Sequence, residues 1–419
     1  MIQVEKIKAI IDKSPNLTAF GRVRTAELTM QIDAKQLHDS LPLFYDQDIN
    51  VGDQGTASIT HSTTNAESTL TVNGDSVDGV QQHCIMQTKQ RFNYQTGKGV
   101  LGFMTFRQFQ NQTGVTKRVG YYNSDTTGTY NTGFDGFYLE NDGSGVSFVI
   151  AKGGTKNTIL QSAWNVDRLN GAGGQYNKSE IDLQLGTTSG NLLFWYQFEW
   201  LGVGEVAFGF IYKGQIYVCH EEDHIGSSGV YMESPNHSLR YEIRNSNGFQ
   251  AGSFSAICST FNTEGSINQL GKILSDNLGT THVNANSTSS KYALLGIRLQ
   301  TAKIDTFVDL IDYSVMTSDN QLVEVWLNPT VAGTFTYNSV TNSSVQIAKG
   351  SSGGTNTVSG GTLLYSDYIN SQQTFNIVVQ NAIRLGMAID GTLDEIVIST
   401  NPLSSNSDVL ASIKWKEQS

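Results

Sequence analysis

The sequence predicts an all-β protein of two β-sandwich domains, of the jelly-roll or concanavalin-like kind, preceded by a short helical or extended arm. Three observations predict it. Apolar and polar residues alternate over many short runs, which is the period of a half-buried strand. Gly occurs 42 times and Ser, Thr and Asn are abundant; Gly and Asn tolerate positive φ, and the short polar side chains satisfy loop backbone groups, so many strands can be joined by many turns. The length of 419 residues gives two or three folded units against a soft prior of roughly 150 residues each.

Residues 1–40 read as the arm. Ile2, Ile7, Ile10 and Ile11 share one face of a short helix that ends near Ser14-Pro15, because the residue before Pro avoids helical dihedrals. Ala26–Ile32 and Leu41–Tyr45 are short apolar stretches, and Thr56–Ser76 is a Ser/Thr/Gly-rich strand or extended segment.

Residues 41–243 read as the first, lectin-like sandwich. Asn141-Asp142-Gly143 is a hairpin turn between Gly136–Glu140 and Val146–Ala151. The clearest strand is Leu192–Trp200, with Phe194, Tyr196, Phe198 and Trp200 on one face. Gly202-Val203-Gly204 turns it into Glu205–Tyr212, and Lys213-Gly214 turns that into Gln215–His220. A face this apolar needs a second sheet to cover it. Tyr121, Tyr122 and Tyr130 are read as exposed contact residues.

Residues 244–290 read as a connector with one short helix at Ile267–Leu274. Residues 291–419 read as a second, smaller sandwich, with strands at Ala293–Leu299, Thr306–Val315, Leu322–Leu327, Thr334–Tyr337, Thr374–Val379, Asp394–Ser399 and Ser412–Lys416. Within it, Gly350–Gly361 is a low-complexity loop, expected to be mobile.

A net charge of −11 repels phosphate backbones and anionic lipid headgroups, which argues against nucleic acid as a partner. The densest positive stretch, Lys117-Arg118, reads as a solvated strand edge. Cys84, Cys219 and Cys258 have neither metal nor redox spacing, so disulfides are not expected as the framework. The N-terminal segment carries Glu5, Lys6 and Lys8 among its apolar positions and does not read as a signal peptide. No apolar run approaches the roughly 20 residues of a membrane helix, so membrane insertion is not expected.

Three patterns resemble chemistry. His220-Glu221-Glu222-Asp223-His224 matches H-E-x-x-H, in which a helix sets two imidazoles one turn apart over zinc; here a strand leads in and Ile225-Gly226-Ser227 follows, leaving no helix. Glu180-Ile181-Asp182-Leu183-Gln184 resembles the E-x-D-x-E strand of concanavalin-like glycoside hydrolases, yet Gln184 cannot deliver a proton. Asp135, Asp142 and Asp390 beside glycines suit either turns or calcium, and turn chemistry explains them. No catalytic, cofactor-binding or metal residue is assigned, and no enzyme activity or cofactor is expected.

A resemblance runs in order through the chain from about Phe20. Its carriers are Trp164–Gly171, Phe198–Gly204, Leu327–Thr334, Arg384-Leu385-Gly386 and Ile389–Glu395. These segments resemble a family of virion structural proteins of tailed bacteriophages, often aquatic, with a concanavalin or lectin-like sandwich. The resemblance implies a virion location after synthesis in the host cytoplasm. It also implies a structural role in head decoration, head or collar fibre, or tail appendage, with homo-oligomers and other virion proteins as partners. A lectin-like host-receptor protein contacting surface glycan is the alternative, and a glycan-degrading enzyme is the weaker third reading.

Overall fold

A computed structural model describes residues 27–418 apart from 51–55, 75–80, 127, 129, 201–203, 228, 246–249, 267–270, 371–373, 379–383 and 405. The chain is all-β, and its strands form two β-sandwiches. The N-terminal helix expected over Ile2–Ile11 lies outside the described residues.

The first sandwich opens with β1 (Leu28–Lys35), β2 (Tyr45–Asn50), β3 (Ala57–Ser62), β4 (Glu67–Val72) and β5 (His83–Thr88). It continues with β6 (Val100–Arg107), β7 (Val115–Asn123), β8 (Asp135–Asn141), β9 (Val146–Lys152) and β10 (Thr155–Leu160). It closes with β11 (Leu192–Phe198), β12 (Glu205–Tyr212), β13 (Gln215–Asp223), β14 (Leu239–Asn245) and β15 (Gly252–Glu264). One sheet runs β13-β12-β11-β6-β15-β4-β3, with β1 joined to the C-terminal half of β15. The facing sheet runs β10-β9-β8-β7-β14-β5-β2.

The inner faces interlock through rings. Phe194, Tyr196 and Phe198 of β11 and Phe208 and Phe210 of β12 are fully buried; Phe148 of the facing sheet stacks on Phe208 with centroids 4.7 Å apart, and Phe137 meets Tyr196 edge-on at 5.1 Å. Each such ring contributes roughly 1.5–3 kcal/mol by leaving water. The alternation in the sequence therefore identifies the inner wall correctly.

The second sandwich comprises β16 (Lys272–Asn277), β17 (Val283–Ala285), β18 (Tyr292–Leu299), β19 (Phe307–Thr317), β20 (Gln321–Leu327) and β21 (Thr330–Val331). Then come β22 (Asn338–Ser339), β23 (Val345–Lys349), β24 (Val358–Ser359), β25 (Thr362–Ile369), β26 (Thr374–Val378), β27 (Glu395–Pro402) and β28 (Ser407–Gln418). Sheet β16-β28-β19-β26, with β17 also on β28, faces sheet β22-β23-β18-β27-β20-β25, and β21 and β24 form a separate ribbon.

Several expectations are corrected. The connector read over 244–290 holds β15, which lies between β6 and β4 in the first sandwich; several of its buried positions are polar, Ser255, Ser259 and Thr263 among them, and this hides the strand period. The arm over 1–40 includes β1, which adds to the same sheet. Lys272–Asn277 is a strand, not part of a helix, and 267–270 lies outside the described residues. Thr334–Tyr337 is not a strand. The Gly350–Gly361 loop is tied down, because buried Asn356 donates from Nδ2 to the carbonyls of Ala332 and Thr334 at 3.0 Å each.

Two further readings are reversed because β7 is buried on both faces: Tyr121 and Lys117 point to the inner side, and Tyr122 and Arg118 to an outer face that is covered rather than solvated. Tyr121 and Tyr122 are fully buried and Tyr130 is 8% exposed. Lys117 and Arg118 are buried on β7, between β8 and β14. The outer face is covered by Tyr130, Asn131 and Phe134 and, from the second sandwich, by the 386–394 loop. The latter seats Ile389 against Ile85 and Tyr130, and the Ile389 N–H donates to Asp46 at 2.8 Å.

Candidate functional site

The two sandwiches meet along a groove of about 640 Å³, within the usual range of ligand sites. The first sandwich contributes the loop after β5, which carries Asn93 and Tyr94; Trp200, just past β11; and the 233–236 loop before β14. The second contributes Asp305 and Gln418.

Local chemistry explains why these side chains stand where they do. Tyr94 is held by its ring, which stacks on Phe198 at 5.8 Å and meets Trp200 edge-on at 6.4 Å, and its backbone N–H donates to Asn236 Oδ1 at 2.8 Å. Trp200 donates its Nε1–H to the Met232 carbonyl at 3.3 Å and remains half-buried. Its row mates on β11 go into the core, but the chain turns away after Phe198 and leaves this indole at the rim.

Asp135 staples the 233–236 loop. Its carboxylate accepts from the Glu233 N–H at 2.9 Å and the Ser234 N–H at 3.0 Å, and it pairs with His237 Nε2 at 2.9 Å. Burial alone would raise the Asp135 pKa, but His237 and the two backbone N–H groups outweigh it and hold the pKa below the usual carboxylate range. Glu233 is thereby presented to solvent at the groove.

Across the junction Asn93 Nδ2 donates to Gln418 Oε1 at 2.9 Å and Asn236 Nδ2 donates to the Asp305 carbonyl at 3.0 Å. Arg91 pairs with the Asp305 carboxylate at 3.2 Å. That carboxylate is therefore committed to a cation, which leaves Glu233 as the available one. Ring faces beside amides and a carboxylate can hold an amphipathic polyol, with C–H surface on the rings and hydroxyls on the polar groups.

The sequence patterns fall elsewhere. His220 is buried on β13 and pairs with Glu222 at 3.0 Å, whereas His224 stacks on Tyr231 at 4.2 Å, with Nδ1 3.0 Å from the Gly204 carbonyl. The two imidazoles thus serve different neighbours. Glu180–Gln184 forms a loop rather than a strand, with positive φ at Glu180 (56°) and Gln184 (50°). Asp142 and Asp390 cap turns, accepting from Ser144 and Thr392 N–H groups. Among the described residues no group of three His, Cys, Asp or Glu is arranged to hold a metal ion.

A smaller cleft of about 260 Å³ on the outer face of β11, β12 and β13 holds Trp195, Glu199, Glu205 and Glu221. The Glu205 pKa is raised by burial and then by Glu221, Asp223 and Glu199. The groove residues Trp200, Asn93 and Glu233 were not singled out from the sequence. Trp200 was read as one more member of an apolar row, and the signal that marks the site is Arg91–Lys98, an aromatic and amide-rich stretch between two strands.

No family model and no curated protein matches the chain. Among solved structures it is similar to the Emp47p carbohydrate recognition domain, with 14% identity and a TM-score of 0.34 over 57% of this chain and 98% of that one. It is also similar to a legume lectin-like domain from Entamoeba histolytica, at 11% and 0.30 over 56% and 98%. A third is SO2946, a protein of unknown function from Shewanella oneidensis MR-1, at 10% and 0.34 over 64% and 97%. At these values the likeness carries nothing about ligand or chemistry.

Proposed function

We propose that the protein is a non-enzymatic, lectin-like surface protein of a virus particle that holds a neutral host glycan in the groove between its sandwiches. The observation that carries this reading is the convergence of Trp200, Tyr94, Asn93, Glu233 and Gln418 on one groove. A pyranose offers a C–H face to an indole and hydroxyls to amides and a carboxylate, which is the chemistry these side chains present. Catalysis needs an acid and a base or nucleophile free to act, and Arg91 occupies the second carboxylate.

The test is a glycan array followed by calorimetry on the best neutral ligand. Trp200→Ala is expected to weaken binding by about tenfold or more, since truncating an aromatic anchor of this kind costs about 2 kcal/mol. Binding unchanged in Trp200→Ala, or silence across neutral glycans, sinks the proposal.

The virion assembly role is the second reading, and one observation favours it. Leu28 and Met30 of β1, Leu43 and Phe44 before β2, and Ile49 of β2 are 37–52% exposed. Large apolar side chains left exposed along the first strands of a sandwich suit burial against another subunit. Native mass spectrometry of the purified protein is expected to give a homo-oligomer that Met30→Lys with Phe44→Lys dissociates. A monomer in the parent protein would remove this reading.

A further inference from the structure

A second depression lies away from the junction, where the 165–178 loop meets the edge strand β13. Its volume is about 410 Å³, and Tyr176, Lys178, Ile216, Tyr217, Asn165 and Gln175 line it. Two large apolar groups are unusually open here: Tyr176 is 38% exposed and Ile216 is 53% exposed.

The loop that brings them together is rigidly built. Val166 and Asp167 donate their N–H groups to the Cys219 carbonyl at 3.1 Å each, and Asn165 exchanges two hydrogen bonds with the Glu221 backbone. The Arg168 N–H donates to the Tyr176 carbonyl at 2.7 Å. One face of the Tyr176 ring carries the Arg168 guanidinium at 4.8 Å.

The local charge is opposite to that of the molecule, whose net charge is −11. Neither Arg168 nor Lys178 has a carboxylate at ion-pair distance among the described residues. Asp167 also lines the depression, with its two oxygens accepting from the Leu169 and Ser179 N–H groups at 3.0 Å each; its charge offsets one of the two cations and leaves the local balance positive. Glu180 and Asp182 do not line the depression.

We propose that this depression is a binding site for a carboxylated saccharide, a uronic-acid-type sugar. Its ring lies over Tyr176 and Ile216, its hydroxyls meet Asn165, Gln175 and Tyr217, and its carboxylate faces Lys178 with Arg168 behind. The apolar walls select a pyranose over a bare inorganic anion. The unpaired cations select an acid over a neutral sugar. The site does not depend on the junction groove.

The experiment is calorimetric titration of the full chain at low salt with trigalacturonate, its methyl ester and inorganic phosphate. Trigalacturonate is expected to bind, and the ester and Lys178→Gln each to weaken binding about two- to fivefold, the range of one exposed charge contact. Tyr176→Ala is expected to abolish binding, and Trp200→Ala to leave it unchanged. Both side chains in question are exposed, so the variants keep the fold, and circular dichroism checks this. No heat with trigalacturonate, equal affinity for acid and ester, competition by phosphate at matched concentration, or parent-like binding by Lys178→Gln and Tyr176→Ala each overturns the proposal.

Discussion

Lys117 and Arg118 are neighbours on β7, and strand alternation sends them to opposite faces. Arg118 turns to the covered outer face, where its guanidinium donates to Glu140 at 2.6 Å and to Glu242 at 2.7 Å. Glu242 also pairs with Arg240 and Arg244 at 2.7 Å each. Burial would raise the Glu242 pKa, but Arg240, Arg244 and Arg118 together hold it well below the usual range. Lys117 turns inward and finds only the carbonyls of Gln108 and Gln110, at 2.5 and 3.0 Å. Burial pulls its pKa from 10.5 down to about 7. Between those values the unfolded chain holds a proton that the folded chain lacks, so this group makes stability rise with pH and loses that contribution as pH falls toward 7. Lys117→Met should therefore flatten the unfolding free energy between pH 7.5 and 9 by up to about 1.4 kcal/mol per pH unit relative to the parent. Denaturant titrations across that range check it, and parallel slopes would refute it. No reading of the sequence placed this pair inside, because Lys117 breaks the apolar pattern of the inner face and burial of Arg118 on the outer face depends on loops that arrive from elsewhere.

Element by element, the alternating strands were the legible part. β11, β12 and β13 fall where Leu192–Trp200, Glu205–Tyr212 and Gln215–His220 were read, and β8 and β9 flank the Asn141-Asp142-Gly143 turn. β15 was missed because Ser, Thr and Asn stand at many of its positions, so its period is carried by few apolar residues such as Phe254, Ala256 and Phe261. Neighbouring strands supply the reason it is central. Gly102 of β6 pairs with both Phe261 of β15 and Tyr196 of β11, and the Tyr196 ring fills the space above it. A methyl group at 102 would come within 2.0 Å of that ring. Gly102→Ala is expected to cost about 1–3 kcal/mol through overpacking, whereas Gly145→Ala, with nothing within 4 Å of the added carbon, should be near neutral. Thermal unfolding of the two variants decides, and equal melting temperatures would contradict the packing account.

On the scale of the whole molecule, the sandwiches are joined by a few polar contacts around one apolar plug. Ile389 sits against Ile85 and Tyr130, its N–H donates to Asp46, and the Met387 N–H donates to the Lys89 carbonyl at 3.1 Å. Each core is complete without the other, so weakening the joint should uncouple them. Asp46→Ala combined with Ile389→Ala is expected to split one calorimetric unfolding transition into two. A single transition shifted as a whole would show that the cores melt together for another reason.

The sequence by itself determined the all-β class, the two-sandwich plan and the identity of the inner aromatic wall, because side-chain alternation is a local property with a period of two residues. Tertiary structure alone decided that β15 lies between β6 and β4, that Lys117 and Glu242 are buried, and that Asn93, Trp200, Glu233 and Gln418 share one groove. Those facts depend on which distant strands pair and which loops cover them, and no local period encodes a partner that far along the chain.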